Sequence, residues 1–212
     1  MTTEHPKPHR DLPSVLELAE RIGALVQAIP LDPPIDHGRL AAVLILLYER
    51  DDVPHVVLTK RTDTLEHHPG QISLPGGRWE MRDGDLGTTA LRETHEELGV
   101  PPDSVRLIGR LSDELTAVSG FVVAPFVGVS AMALQPVPSE HEIARVLQIP
   151  LAELLAVDDA LPMSPDIVSL RYPLMGEDVW GATARILHMF SGIVRDALRE
   201  PVPVDSRCGN RQ

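Results

Sequence analysis

Aromatic residues are scarce in this chain, at 3% of 212 residues. A core must therefore rest on Leu, Val, Ile and Ala. Cysteine occurs once, as Cys208. No internal disulfide can form, which fits a reducing cytoplasm, and a lone cysteine in a tail is read as incidental. Long hydrophobic runs are missing. The longest, residues 40–48, is too short to span a bilayer. Residues 1–10 are polar, carry two prolines and have no apolar stretch, so they do not read as a signal peptide. Cations are few: 19 Lys and Arg stand against 31 Asp and Glu, a net charge of −12. That balance excludes a broad nucleic-acid surface. A phosphate-bearing ligand would meet an unfavourable average field, so local cations or a metal must supply the attraction. What is left is a cytoplasmic globular protein of ordinary make-up, 43% hydrophobic and 24% charged, long enough for one domain with extensions.

What the chain does have is three carboxylates, Glu93, Glu96 and Glu97, in the last turns of a helix expected over residues 86–98. Residues three and four apart share a helix face, and like charges at that spacing destabilise it by roughly 0.2–0.5 kcal/mol per pair. The C-terminal end of a helix also favours cations. Two local rules are broken in one place, which points to function. A hard divalent cation that takes oxygen ligands would supply the reason. The bland alternative is a solvated acidic face with Arg92 and Glu96 as a weak surface pair.

Around that helix the pattern is of alternating strands and loops. A helix is expected over 13–28, followed by a stiff connector at Pro30, Pro33 and Pro34. Residues 40–48 form a continuous apolar run of strand length, as for a strand buried on both faces. Further strands are expected at 55–60, 71–74, 105–111, 121–129, 142–149 and 167–172. Residues 76–85 read as a loop, 151–155 as a short helix and 182–199 as a long one. Gly99 suits the residue that ends a helix, and Pro101-Pro102 block its continuation. The domain division expected is 1–36 as an extension with one helix, 37–200 as the main domain and 201–212 as a loose tail. The N-terminal helix packs on the core, forms part of a homodimer or serves a partner; the sequence leaves these open.

The stretch from Gly77 through Asp83 to Arg92-Glu93, Glu96-Glu97 and Gly99 resembles the Nudix box, the loop–helix signature of hydrolases that cleave nucleoside diphosphates linked to another group. Five specified residues between Arg92 and Gly99 would arise by chance in about 1 in 10⁴ chains of this size. Here the acid is Asp rather than Glu, and eight residues rather than seven separate it from Arg92. Both departures resemble the coenzyme A pyrophosphatase branch. So does the upstream run Val57-Leu58-Thr59, Arg61, Leu65, His68, Gly70, Gln71 and Pro75-Gly76-Gly77, although Glu66 stands where that branch has Arg and Leu74 where it has Phe. Downstream, Ser119-Gly120-Phe121 with Pro125-Phe126, Glu142-Ile143 with Pro150-Leu151, and Trp180-Gly181-Ala182 are similar to it too. The fold that this resemblance implies is α/β, a Nudix-type α/β/α sandwich with a mixed central sheet, here with an extra N-terminal helix.

The implied chemistry is attack of water on one phosphorus of a diphosphate bridge, with Mg²⁺ or Mn²⁺ as cofactor. Glu93 and Glu97, one turn apart, are the expected principal metal ligands, with Glu96 as a third. One of these, or Glu142, orients or deprotonates the water. Asp83 caps the catalytic helix or joins the outer metal shell. Arg92, as the resemblance implies, fixes the carboxylates. Lys60, Arg61 and Arg78 are candidate phosphate anchors. Gly76 and Gly77 let backbone approach a ligand, and His68 and Gln71 are candidate substrate contacts. The lysine–arginine pair has its own plain reading as a solvated strand end, and two adjacent histidines, His67-His68, make a poor metal pair. Coenzyme A as substrate would give phosphopantetheine and adenosine bisphosphate. Glu66 weakens that specificity without touching the hydrolytic chemistry. Another nucleoside diphosphate derivative, such as ADP-ribose, a dinucleotide or an oxidised nucleotide, is the main alternative. A non-catalytic nucleotide sensor is disfavoured because the box carboxylates are all present.

Overall fold

The apolar run from Leu40 is long enough to cross a core, and its side chains alternate between two faces. In the computed structural model, which describes residues 12–29, 39–64, 69–116, 120–162 and 165–199, this run is the middle of the sheet. An N-terminal helix α1 (Val15–Gly23) precedes it. Then come β1 (Leu40–Arg50), β2 (Val53–Arg61), β3 (Ile72–Ser73), β4 (Gly76–Arg78) and helix α2 (Leu86–Leu98). They are followed by β5 (Arg106–Arg110), β6 (Glu114–Leu115), β7 (Val122–Ser130), β8 (Ile143–Pro150) and helix α3 (Leu151–Asp159). A separate hairpin, β9 (Arg171–Leu174) and β10 (Glu177–Trp180), leads into the long helix α4 (Gly181–Arg199).

The sheet is mixed. β1 lies parallel to β7, from Leu40↔Val122 to Tyr48↔Ser130, and antiparallel to β2 and β4. β8 and β3 pair with β2; β5 and β6 pair with β7. Ala42, Leu44, Leu46 and Tyr48 of β1 join Val57, Ala124, Phe126, Ala90 and Leu98 in a core beneath α2. Ile45 and Leu47 face the other way, into a larger core with Val56, Leu58, Val127 and residues of α1, α3 and α4. The result is an α/β/α sandwich, in which α2 is the one α-helix on its side among the described residues.

Helix α1 buries Val15, Leu18, Ala19 and Ile22 in that larger core and lies against α4, so it packs on the core. It is shorter than its apolar spacing predicts: the chain after Gly23 turns, and Gln27 exchanges backbone hydrogen bonds with Arg110 at 3.0 Å in both directions. The expected loop 76–85 holds β4 and a 3₁₀ turn, Met81–Asp83. The expected strand 167–172 begins as a 3₁₀ turn, Ile167–Ser169, because Asp166 caps it by accepting from Val168 N–H. Most of the connector around Pro33 and the tail from Pro201 lie outside the described residues.

Candidate active site

Helix α2 is bounded by side-chain chemistry that its sequence supplies. Asp85 caps its start, accepting from Thr88 N–H at 2.8 Å. Gly99 ends it in the left-handed region at φ 67°, which glycine adopts without strain. Asp83 therefore does not cap this helix. It is buried instead beneath it, where its carboxylate receives Thr89 Oγ1 at 2.9 Å and Glu80 N–H at 3.1 Å. It also receives Arg92 through Nε at 2.7 Å and Nη2 at 3.0 Å. Burial pushes the Asp83 pKa up, but these bonds outweigh it and hold the carboxyl below its usual range.

Arg92 gathers the neighbouring groups. Its Nη1 lies 2.9 Å from Glu93 Oε1 and 2.9 Å from Glu96 Oε2, while Nη2 donates to the Arg78 carbonyl at 3.1 Å. Bidentate and charge-assisted contacts of this kind fix a guanidinium in one orientation. Arg78 thus enters the site through its backbone, and its side chain is exposed. Glu96 is half-exposed and also faces Arg82 at 3.9 Å.

Glu97 differs from the other two carboxylates. It is 2% exposed. The Gly76 N–H donates to it, yet its Oε2 is buried with no hydrogen-bond partner. Burial first, then the charges of Glu93 and Glu142, push its pKa up to about 8, against the pull of Arg61 and the Gly76 N–H. Glu93 is raised as well, by burial before all else, and is pulled back by Arg92. Glu93 is seated on Gly77, where an added Cβ would stand 2.4 Å from its Cδ. Gly76 meets Ala42 O in the same way, at 2.3 Å. The space that these two glycines leave is filled by the protein's own atoms, a strand backbone and a carboxylate.

Lys60 and Arg61 part company. Side chains alternate along a strand, so Lys60 follows Leu58 onto the α4 side, where its Nζ lies 2.9 Å from both oxygens of Glu177 on β10. Arg145 joins the same carboxylate at 3.3 Å. Lys60 is thereby taken away from the box carboxylates. Arg61 turns to the α2 side at an irregularity in the β2–β8 pairing, close enough to Glu97 to act on its charge, and its Nε is buried without a partner. The Gln71 carbonyl fixes Arg61 by accepting its N–H at 3.0 Å. Glu142 is exposed beside the same strand end, where its carbonyl accepts Thr62 N–H at 2.9 Å. His68 and Glu66 lie outside the described residues.

The set suits a divalent cation by chemistry: all its candidate ligands are carboxylate oxygens, and Glu97 offers a buried oxygen whose unmet bonding is costly unless something satisfies it. Among the described residues no three such side chains already stand as a ready metal group; Arg92 holds two of them. A cavity of about 310 Å³ lined by Leu25, Arg110 and Met189 lies on the opposite face of the sheet, away from this chemistry. Sequence reasoning did not find Glu177, which lies 117 residues from Lys60, nor the anchoring of residues 137–139 on α2. The alternation of Pro136 and Pro138 was the available signal for the latter.

The chain is similar to known proteins in sequence and in fold. A model of the NUDIX domain matches residues 38–168, more than half of the chain. A Pectobacterium atrosepticum protein named uncharacterized Nudix hydrolase NudL is 34% identical over 176 residues, covering 81% of this chain and 91% of that one. The crystal structure of a MutT/nudix family protein from Enterococcus faecalis superposes with a TM-score of 0.51 at 15% identity, over 90% of this chain and 78% of the other. A C. elegans Ap4A hydrolase does so at 0.50 and 16% identity, over 74% and 98%. At such identities the two structures speak to the fold.

Proposed function

From the premise that this chain belongs to the Nudix hydrolase family, whose members are pyrophosphohydrolases acting on phosphorus-containing anhydrides, we propose that it hydrolyses the diphosphate bond of coenzyme A or its derivatives. The products are phosphopantetheine and adenosine bisphosphate. The observation that carries the hydrolytic part is the buried, unpartnered Glu97 Oε2 beside Glu93, with the Arg61 guanidinium facing it. The coenzyme A part rests on the upstream run from Val57 to Gly77 and the longer spacing between Asp83 and Arg92.

Nudix hydrolases generally use divalent metal ions such as Mg²⁺ or Mn²⁺. Glu93 and Glu97, with Glu96 as a third ligand, would hold such an ion, which when bound would supply charge that offsets the anions brought together in the reaction. The chain's own residues do the rest. Arg92, locked by Asp83, keeps Glu93 and Glu96 on one side of the helix. Arg61 anchors a phosphate oxygen, and its desolvated Nε strengthens that bond. Glu142 orients or deprotonates the attacking water. Lys60 serves the fold through Glu177 and leaves the anchoring to Arg61.

Incubating the protein with Mg²⁺ and coenzyme A, and separating the products by chromatography, tests this. Phosphopantetheine and adenosine bisphosphate are expected from the wild type, with turnover at least 100-fold lower from Glu97→Gln at unchanged far-UV circular dichroism. Full activity in Glu97→Gln removes Glu97 from the site.

A further inference from the structure

An α-helix ends with four carbonyls that have no partner inside it. In α2, His95 O accepts Gly99 N–H at 2.8 Å. Two others are met from outside. Val137 N–H donates to Leu98 O at 2.8 Å, and Ser139 N–H donates to Glu97 O at 2.9 Å. The segment that provides them reads Pro136-Val137-Pro138-Ser139. Proline has no N–H, so both backbone donors that this run possesses, at 137 and 139, are spent on α2. The Val137 side chain is not what holds it there, because the residue is 72% exposed. Gly99 leaves room for the approach: a Cβ there would stand 3.4 Å from both Val137 Cβ and Val137 O.

From Ser139 the chain makes a tight turn. The Ser139 carbonyl accepts Glu142 N–H at 3.0 Å and Ile143 N–H at 2.8 Å. Glu142 O in turn accepts Thr62 N–H, the residue after Arg61, at 2.9 Å. Glu142 therefore hangs between the end of α2, which carries Glu97, and the end of β2, which carries Arg61. Its charge reaches both Glu93 and Glu97 and contributes to the raised pKa of each.

We infer that residues 136–139 are a strap that places Glu142 opposite the α2 carboxylates, with Val137 and Ser139 acting as positioning residues through their backbone N–H groups. The inference rests on the reading of Glu142 as the group that handles the attacking water. It makes the end of the catalytic helix and the water-handling residue one mechanical unit, although they lie more than forty residues apart in sequence.

The test removes a donor and keeps everything else. Val137→Pro deletes the N–H that binds Leu98 O; Val137→Ala keeps it and serves as the conservative control. With coenzyme A and Mg²⁺, Val137→Pro should lower kcat about tenfold while KM moves less than about twofold, and Val137→Ala should stay near wild type. Glu142→Gln should cost about 100-fold in kcat. The double variant Val137→Pro/Glu142→Gln should be no slower than Glu142→Gln within about twofold, because the strap acts only through Glu142. Multiplying losses, a wild-type kcat in Val137→Pro, or a wild-type kcat in Glu142→Gln would each overturn the proposal. Amide hydrogen exchange supplies an arm that needs no turnover. In Val137→Pro the Thr62 amide, bound to Glu142 O, should exchange faster; unchanged protection overturns the strap even if coenzyme A proves not to be a substrate. Should Val137→Pro fail to fold, Ser139→Pro removes the neighbouring donor and is read in the same way.

Discussion

Glu93 and Gly77 show how a residue with no side chain can decide where a charged one sits. An alanine at 77 would place its Cβ 2.6 Å from both oxygens of Glu93, and the carboxylate, the far end of a flexible chain, would be the part that moves. Gly77→Ala should therefore retain its thermal midpoint within about 2 °C, equivalent to under about 1 kcal/mol, while turnover falls about 100-fold, a distance-sensitive loss of positioning. Steady-state kinetics beside a thermal melt check both halves. At this scale the sequence was legible where the signal is local. Glu93, Glu96 and Glu97 announce themselves by helical spacing and Arg92 by the motif around them; Arg92 pairs with Glu93 and Glu96, and Glu93 lies close enough to act on Glu97. It was not legible where the partner is distant. Lys60 and Arg61 look alike as a pair of cations; only strand alternation and Glu177 on β10 separate them. Asp83 was readable as functional, but its task of holding Arg92 from below depends on a 3₁₀ turn that no periodicity predicts.

Among elements, the junctions of helices carry the clearest consequences. Gly99 combines a φ of 67° with close contact to Val137. A side chain there costs about 1–2 kcal/mol from the left-handed backbone alone, so Gly99→Ala should lower the unfolding free energy by that amount, as measured by urea unfolding. On the other face, Asp158 at the end of α3 joins β9 and α4. Tyr172 donates its hydroxyl to Asp158, His188 Nδ1 lies 2.7 Å from Asp158 Oδ1, and Arg195 Nη1 lies 2.6 Å from Oδ2. Burial raises the Asp158 pKa, but the bonds from Tyr172, His188 and Arg195 outweigh it, and the folded value lies below the ordinary one. The sign follows: a depressed folded pKa gives stability that is complete above the unfolded value of about 3.9 and lost as pH falls through the folded one. Asp158→Asn should lose about 3 kcal/mol at pH 7, as expected for breaking a buried pair. Its loss of stability between pH 5 and pH 3 should be shallower than the wild type's, as measured by urea unfolding at each pH. Long elements were legible from pattern. The 86–98 helix matches residue for residue, and β1 was visible as an unbroken apolar run. The short strand expected at 71–74 is there as β3, but the two-residue strand β6 and the hairpin β9–β10 with its turn at Met175-Gly176 were not legible, because pairing partners and turn geometry define them more than their own residues do.

For the whole molecule, the sandwich divides labour between its faces. The α2 side carries the carboxylates over a modest core, while the α1–α3–α4 side holds the larger core and the ion-pair network around Asp158. With a net charge of −12, a phosphate-bearing ligand must be drawn in locally. Arg61 faces Glu97, and in the proposed mechanism a divalent ion would supply the rest of the attraction. Fold and family were readable from one helix and the loop before it. The proposed substrate rests on the run from Val57 to Gly77, whose Glu66 departs from the branch it resembles, and on the longer spacing between Asp83 and Arg92. The most direct measurement is a comparison of kcat/KM with Mg²⁺ across coenzyme A, ADP-ribose, NADH and a deoxynucleoside triphosphate. The account predicts coenzyme A as the preferred substrate by at least tenfold, about 1.4 kcal/mol of differential transition-state binding, with cleavage at the diphosphate. Preference for another member of the panel, or no anhydride cleavage at all, would contradict it.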